Sequence, residues 1–293
     1  MTLLKELSEA FGPSGYESEV SKIIADSMKK AGFYAKYDSL GNVICKRAGA
    51  GKTLMLSAFF DEPGFIVTDA YPDGTLSVRE AGGTFGDGAK RVRFESGRIG
   101  LLKKENGKLK ADAGEKSKEE ALKSFPIGSY AVFDSPYYSS GDFAVGKALS
   151  SRAAAAALIK AAEELSAECS LYVVFTSQHL SGSRGAAAAA EIGADEVLAV
   201  GSVSGRGGVY LSAMDKKCIA DEAVKEELLA IDPELKISVT DTVDSDAGAL
   251  SRLGAKAGAI LLGVGEKGAE TESVSLSDIE RAAGIIKKFA ERK

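Results

Sequence analysis

The sequence predicts an α/β protein in which helices sandwich a mixed, mostly parallel sheet, with a small β-barrel domain inserted into it. After residue 146, short apolar segments alternate with helix-length segments, a pattern typical of parallel sheets. The region 67–143 instead carries short strand-like runs separated by turn residues, which is typical of a small barrel. The segment Leu54–Phe60 is nearly all apolar, which indicates a central strand.

The N-terminal segment predicts two helices followed by strands. Leucines and a phenylalanine recur at three- and four-residue spacing over residues 2–12, which predicts a first helix there. The segment Ser14–Glu17 resembles a capping box and predicts the start of a second helix. A short strand is expected at Val43–Cys45, ahead of the longer strand at Leu54–Phe60.

We expect two domains, a discontinuous α/β domain of residues 1–66 plus 144–293 and an inserted β-rich domain of residues 67–143. Strand-like runs in the insert begin at Ile66, Leu76, Arg91 and Tyr130. One helical stretch, Ser117–Leu122, interrupts them, and the lysine-rich segment Lys103–Lys110 is expected to be a solvated hairpin.

The region after the insert predicts the helices and strands of the α/β domain. Helices are expected at 152–164, 185–192, 222–230, 247–253 and 276–292, and strands at 171–175, 197–200, 236–239 and 259–262. Alanine tracts at 153–157 and 186–190 are expected to be helix faces, because alanine is the best helix former.

Composition excludes several classes of protein. The 293 residues are 45% hydrophobic and 27% charged with a net charge of −5, which excludes disorder and gives no electrostatic sign of nucleic-acid binding. No apolar run approaches the roughly 18 residues of a membrane span, and the first residues lack the apolar core of a signal peptide. The three cysteines are scattered, so we expect no disulfide framework and a cytoplasmic location.

Histidine is the scarcest chemically useful residue in this chain. The sequence contains one, His179, and three cysteines. Catalytic zinc sites usually draw on at least one imidazole and often on several. A zinc enzyme is therefore hard to build from this sequence.

Ordered motifs along nearly the whole chain resemble those of the tetrahedral aminopeptidases, the glutamyl and deblocking aminopeptidases that are also called endoglucanases. The motifs include Phe11–Glu17, Asp38–Val43, Ala58–Phe65, Val145–Leu149 followed by Arg152, Thr176–Ala186 and Asp246–Gly248. Motifs in order over a full chain are far more specific than one short match.

This resemblance implies a zinc- or cobalt-dependent exopeptidase with two metal ions that share a bridging carboxylate. Such ions, about 3.5–4 Å apart, activate a water while a glutamate moves its proton. The resemblance also implies that the α/β domain carries the metals, that the β-rich insert serves dimerisation, and that subunits form a hollow shell of twelve.

The positions that the resemblance assigns to this chemistry carry other residues here. The first histidine corresponds to Phe59, the bridging aspartate to Ser150, the base and its neighbouring ligand to His179 and Leu180, the next aspartate to Gly201 or Ser202, and the last histidine to a residue near Gly268. Phenylalanine and leucine offer no lone pair to a metal. We therefore expect no bound metal and no cofactor.

The expected cleft would then be a remnant of an active site, formed by Phe59, Asp61, Glu62, Ser150, Arg152, His179 and Leu180. The leading hypothesis is a homologue without peptidase activity, a pseudoenzyme. It would bind a peptide or small ligand, or join a homo-oligomer or a hetero-oligomer with an active relative. No nucleic-acid or membrane partner is expected.

Two enzymatic alternatives stay open at this point. One is a metallo-aminopeptidase of the same family that uses ligands not recognised in the sequence. The other is a metal-independent hydrolase with a Ser150–His179 dyad, in which Asp61 orients the histidine. Against the second, the sequence has no Gly-x-Ser-x-Gly elbow to position the serine.

Overall fold

The computed structural model describes residues 2–83, 86, 88–166, 168–242 and 245–292. Its helices are α1 Thr2–Glu9, α2 Ser18–Lys30, α3 Lys118–Ser124, α4 Leu149–Glu163, α5 Arg184–Ala189, α6 Glu222–Ile231, α7 Ala247–Leu250 and α8 Leu276–Glu291. Its strands are β1 Tyr34–Tyr37, β2 Val43–Arg47, β3 Thr53–Phe59, β4 Gly64–Ala70, β5 Leu76–Ala81, β6 Lys90–Phe94, β7 Ile99–Glu105, β8 Lys108–Asp112, β9 Tyr130–Phe133, β10 Tyr138–Ser140, β11 Phe143–Gly146, β12 Ser170–Thr176, β13 Glu196–Ser204, β14 Val209–Met214, β15 Lys236–Val239, β16 Lys256–Val264 and β17 Glu272–Ser275.

An eight-stranded mixed sheet forms the centre of the α/β domain, in the order β1-β2-β12-β3-β13-β16-β14-β15. The four adjacent strands β12, β3, β13 and β16 are parallel. The apolar strand β3 lies between β12 and β13, so the prediction of a central strand is confirmed. The buried side chains of β3 and β12 are mostly apolar on both faces, as expected for a sheet covered on two sides.

Helices cover both faces of this sheet, which confirms the predicted fold class. The helices α1, α2, α4, α6 and α8 share one core with one face, and α5 and α7 share another core with the opposite face. The alanine tract of α4 is buried along its length, so small side chains let this helix lie close to its neighbours.

The insert contains a closed six-stranded barrel in the order β4-β5-β8-β7-β6-β9. Helix α3 contributes Ala121 to the barrel core, and Phe125 follows it there. The barrel strands span 64–133, whereas β10 and β11 pair with β17 in a separate three-stranded sheet. The division into a domain of residues 1–66 plus 144–293 and an insert of residues 67–143 stays a prediction.

The N-terminal helices differ from the prediction in their boundaries and caps. Helix α1 ends at Glu9, short of residue 12. The capping box at Ser14–Glu17 is wrong, because α2 begins at Ser18 without a side-chain cap. The Ser14 hydroxyl instead lies 2.6 Å from that of Ser181, and the Glu17 carboxylate accepts the amides of Gly15 and Gln178. The side chains that would form a local cap therefore make hydrogen bonds to residues distant in the sequence.

Among the residues that the structure describes, no helix is long and apolar enough to cross a membrane.

Candidate functional site

The site lies where parallel strands of the main sheet end. Phe59 is the last residue of β3 and pairs with Thr176, the last residue of β12. Gly201 lies on the adjacent strand β13. Because parallel strands present their carboxyl ends at one edge, residues distant in sequence meet here, at the usual position of ligand sites in such sheets.

The side chains of Phe59 and His179 fill the centre of this edge. Their rings are stacked, with centroids 3.8 Å apart and an angle of 8° between planes. The two residues are only 5% and 6% exposed, respectively. A β-carbon built on Gly201 would lie 3.9 Å from Cε1 of Phe59. Three of the positions that the resemblance assigns to metal ligands or to the base therefore lie together, and the phenyl ring of Phe59 lies against His179 and near Gly201.

A buried aspartate holds the histidine at a ring nitrogen. The Nδ1 atom of His179 lies 2.9 Å from Oδ1 of Asp246. The hydroxyl of Thr176 donates to Oδ2 of the same carboxylate at 2.6 Å. Asp246 is thus bound at both oxygens, and the imidazole is held by this carboxylate at Nδ1 and by the phenyl ring of Phe59 on its face.

Asp61 contacts Leu180, another of the predicted site residues. The backbone amide of Leu180 donates to Oδ2 of Asp61 at 2.9 Å. Burial raises the pKa of the Asp61 carboxyl, although the nearby His179 and the bond from Leu180 oppose this shift. The side chain of Leu180 carries no atom that could replace a carboxylate ligand.

Glu62 belongs to a buried ionic cluster, and its hydrogen-bond partners differ from those of Asp61. The ammonium of Lys147 lies 2.7 Å from both carboxylate oxygens, and the guanidinium of Arg152 lies 3.2 Å from Oε1. The amide of Gly12 donates to Oε1 at 2.9 Å. Burial lowers the pKa of Lys147 to about 8. Glu62 therefore neutralises buried positive charges, and Asp61 and Glu62 do not form a catalytic pair around one substrate bond.

Ser150 and Gly268 meet at a different carboxylate, Glu272. The amide of Ser150 and the amide of Gly268 each donate to it at 2.6 Å. The Ser150 hydroxyl also hydrogen-bonds to Glu272 and, like the two amides, works against the burial that raises the pKa of this carboxyl. The contacts of Ser150 thus run to Glu272, whereas those of His179 run to Asp246 and Phe59.

Three residues that complete the site were not predicted as site residues. Asp246 lay in a family-like motif, which was a usable signal, and Lys147 lay in another. Glu272 had no signal, because it stands alone at the start of a short strand. Its role depends on contacts with Ser150, which is 122 positions away in the chain, and with Gly268, which is 4 positions away.

The donor atoms at this edge do not suit a pair of metal ions. Within the described ranges, no group of three or more His, Cys, Asp and Glu side chains is arranged to hold a metal ion. The Phe59 ring lies beside Gly201, which has no side chain to offer. Protein zinc sites use thiolate, imidazole and carboxylate ligands.

Comparisons with known proteins agree with the fold. The chain is 31% identical over 317 aligned positions to a protein of Acetivibrio thermocellus named "Putative aminopeptidase", with 97% of this chain and 96% of that protein covered. An aminopeptidase structure from the archaeon Desulfurococcus kamchatkensis superposes with a TM-score of 0.93 at 27% identity, covering 100% of this chain and 94% of that one.

A further structure, a TET peptidase of Pyrococcus horikoshii that can assemble into a tetrahedron or a large octahedral shell, has a TM-score of 0.91. It is 24% identical, covering 100% of this chain and 99% of that one, and so shows the fold alone. The family model of the M42 glutamyl aminopeptidases matches residues 41–285. This match spans most of the chain, which therefore belongs to the M42 glutamyl aminopeptidase family.

Proposed function

We propose that this chain is a family member without peptidase activity, which binds no metal and acts as a ligand-binding or assembly subunit. The observation that carries the proposal is the stack of Phe59 on His179. The resemblance assigns a metal-binding histidine to position 59 and the general base to position 179. A phenyl ring against the imidazole leaves no room for a metal-bound water between them.

The other remnant positions support the same proposal. Leu180 and Gly201 offer no ligand atoms, and the Ser150 hydroxyl bonds to Glu272. Asp61 and Arg152 remain, but their hydrogen bonds go to Leu180 and to Glu62. A group that only hydrogen-bonds to a metal ligand orients that ligand and does not replace it.

Assembly and location form the second part of the proposal. We place the protein in the cytoplasm, on the grounds of its scattered cysteines, and expect a homo-oligomer or a hetero-oligomer with an active relative. The support is the β-rich insert together with the shell-forming Pyrococcus peptidase of the same fold. Light scattering on the purified chain, with and without an active relative, tests this part, and a monomer under both conditions would reject it.

Metal analysis and a peptidase assay test the loss of chemistry. The full chain is dialysed against zinc or cobalt, and its metal content is measured beside its hydrolysis of aminoacyl-nitroanilides. We expect far less than one tightly bound ion per chain and no turnover above buffer. Two ions per chain with turnover would instead establish a metallo-aminopeptidase with unrecognised ligands.

The Ser150–His179 hydrolase is tested in the same assay. Metal-independent turnover that is lost in Ser150→Ala, with labelling by a serine-directed phosphonate, would establish that alternative. A matched control is Ser251→Ala, at a partly exposed serine outside the site. We expect wild type and both variants to be equally inactive and unlabelled at position 150.

A further inference from the structure

A groove of about 620 Å³ lies on the barrel of the insert. Side chains of β4, β5, β7 and β8 line it, together with the turn between β7 and β8. None of these residues takes part in the contacts of the site around Phe59 and His179. The volume falls within the range of about 300–1,000 Å³ that is typical of small-molecule sites.

Two basic side chains face each other across this groove. Strands β5 and β8 are antiparallel, and Val78 is paired with Leu109. The next step of the same register sets Arg79 opposite Lys108. Side chains in directly opposite positions share a face of the sheet, with β-carbons about 4.5–5.5 Å apart, and like charges there destabilise the pair. The fold therefore holds two positive charges close together at the surface.

These charges are not neutralised within the part of the chain that the structure describes. The side chains of Arg79 and Lys108 form no ion pair or hydrogen bond with another described residue, and the same is true of Lys104 on β7, which also lines the groove. All three side chains are exposed. Three uncompensated cations thus converge on one groove.

The carboxylates nearest to the groove are already engaged. Glu105 is paired with Lys108 in the β7–β8 register, but its oxygens lie 2.6 Å from the ammonium of Lys103 and 3.0 Å from that of Lys110. Glu80 also lines the groove, but it follows the arginine directly in β5 and so points to the other face of the strand. It makes a contact of its own.

A hydroxyl group and apolar side chains complete the groove. The hydroxyl of Thr68 donates to the backbone and side-chain oxygens of Ser77, at 3.1 Å each. Because the Ser77 hydroxyl accepts this bond, its own proton is available to an anion. Tyr71, Val78 and Leu109 add apolar surface beside these polar groups.

We propose that this groove binds a small phosphate monoester through its phosphate group. Such a group, like a phosphorylated side chain, carries a charge of about −1.5 to −2 at pH 7, so it compensates Arg79 and Lys108 together. The guanidinium binds two phosphate oxygens in a bidentate manner. The ammonium of Lys104 and the hydroxyl of Ser77 supply further donors, and the organic part of the ester packs on the apolar surface.

Isothermal titration calorimetry on the full chain, in a phosphate-free buffer at pH 8 and constant ionic strength, tests the proposal. The ligands titrated are phenyl phosphate, inorganic phosphate and phenyl sulfate. We expect saturable binding of phenyl phosphate. Inorganic phosphate should bind at least threefold more weakly because it lacks the apolar part, and phenyl sulfate at least tenfold more weakly because it carries a single charge.

Substitutions locate the binding in the groove. Arg79→Gln and Lys108→Gln are each expected to weaken the binding of phenyl phosphate at least tenfold, and Lys104→Gln at least threefold. Arg252→Gln and Lys123→Gln remove the same charge from exposed side chains outside the groove and should leave the binding unchanged.

Absence of saturation with phenyl phosphate, equal binding of phenyl sulfate, or an equal loss of binding in the two control variants would overturn the proposal. Equal binding of inorganic phosphate would overturn the assignment to an ester and identify free phosphate as the ligand. The inference goes beyond the proposed function, which metal content and peptidase turnover decide. A failure of the phosphate titration is therefore distinguishable from a failure of that function.

Discussion

The phenyl ring of Phe59 lies flat against the imidazole of His179, with ring centroids 3.8 Å apart. This contact joins the end of β3 to the segment after β12, and Asp246 fixes the same imidazole from α7's N-terminal side. Aromatic pairs contribute about 0.5–1.5 kcal/mol beyond the area that they bury. The stack therefore stabilises the sheet edge at the place where the resemblance assigns the chemistry of the family.

Replacing Phe59 with alanine should destabilise the protein by about 3–5 kcal/mol, because the change opens a cavity at a nearly fully buried position. The free energy of unfolding, measured by urea denaturation, checks this prediction. The matched control is Phe143→Ala, at a side chain that is 56% exposed. It should cost no more than about 0.5 kcal/mol. Equal losses of unfolding free energy in the two variants would contradict a site that the Phe59 side chain fills.

Glu62 should be among the most sensitive polar residues of the chain. Glu62→Gln removes the negative charge that balances the buried Lys147 and Arg152. Loss of one member of a buried ion pair typically costs about 3–5 kcal/mol, because the other charge is left uncompensated. We expect a loss of this size in urea denaturation.

A carboxylate without this setting provides the control for Glu62. Glu226 is exposed on α6, so Glu226→Gln should change the unfolding free energy by less than about 0.5 kcal/mol. If Glu62→Gln were as mild as Glu226→Gln, the buried cluster would not be a structural element of the fold.

The fold was largely predictable from sequence because its central elements have strong patterns. Strand β3 is apolar throughout, and α8 carries a regular apolar stripe, so both were predicted near their observed bounds. The short strands β1 and β17 were missed. Each has four residues, and β1 is mostly exposed, so neither carries a hydrophobic period long enough to detect.

The candidate site was predictable only in part. The positions Phe59 and His179 came from family-like motifs, and the structure brings their rings together. The attachment of Ser150 to Glu272 had no local signal, because the two residues are 122 positions apart. The failed capping box has the same cause, since Ser14 finds its partner at Ser181. Tertiary contacts override local preferences where buried polar groups must find partners.

Cysteine reactivity should follow burial. Cys45 is fully buried, and burial raises the pKa of its thiol to about 12, whereas Cys169 is only partly buried. Because the thiolate is the reactive form, Cys45 in the native protein should not react with Ellman's reagent at pH 8. Cys45→Ala should leave the native thiol count unchanged, while Cys169→Ala should lower it. A rapid reaction of Cys45 in native protein would show that this part of the core opens.

Lys147 should make stability rise with pH in the alkaline range. Burial lowers the pKa of Lys147 from its ordinary 10.5 to about 8 in the folded protein. Below pH 8 both states hold the proton, so the cost of burying the charge is fully present. Between about pH 8 and 10.5 the unfolded chain binds more protons than the folded one, so the unfolding free energy increases.

A variant without the ammonium isolates this contribution from the other alkaline groups. Over the whole window the Lys147 contribution amounts to about 3 kcal/mol, at 1.36 kcal/mol per pKa unit. Urea denaturation of wild type and Lys147→Met at pH 7.5, 8.5 and 9.5 measures the difference between their slopes. We expect wild type to gain stability relative to the variant at each step. Parallel slopes would mean that the pKa of Lys147 is the same in the folded and unfolded protein. A loss of stability relative to the variant would mean that folding raises this pKa.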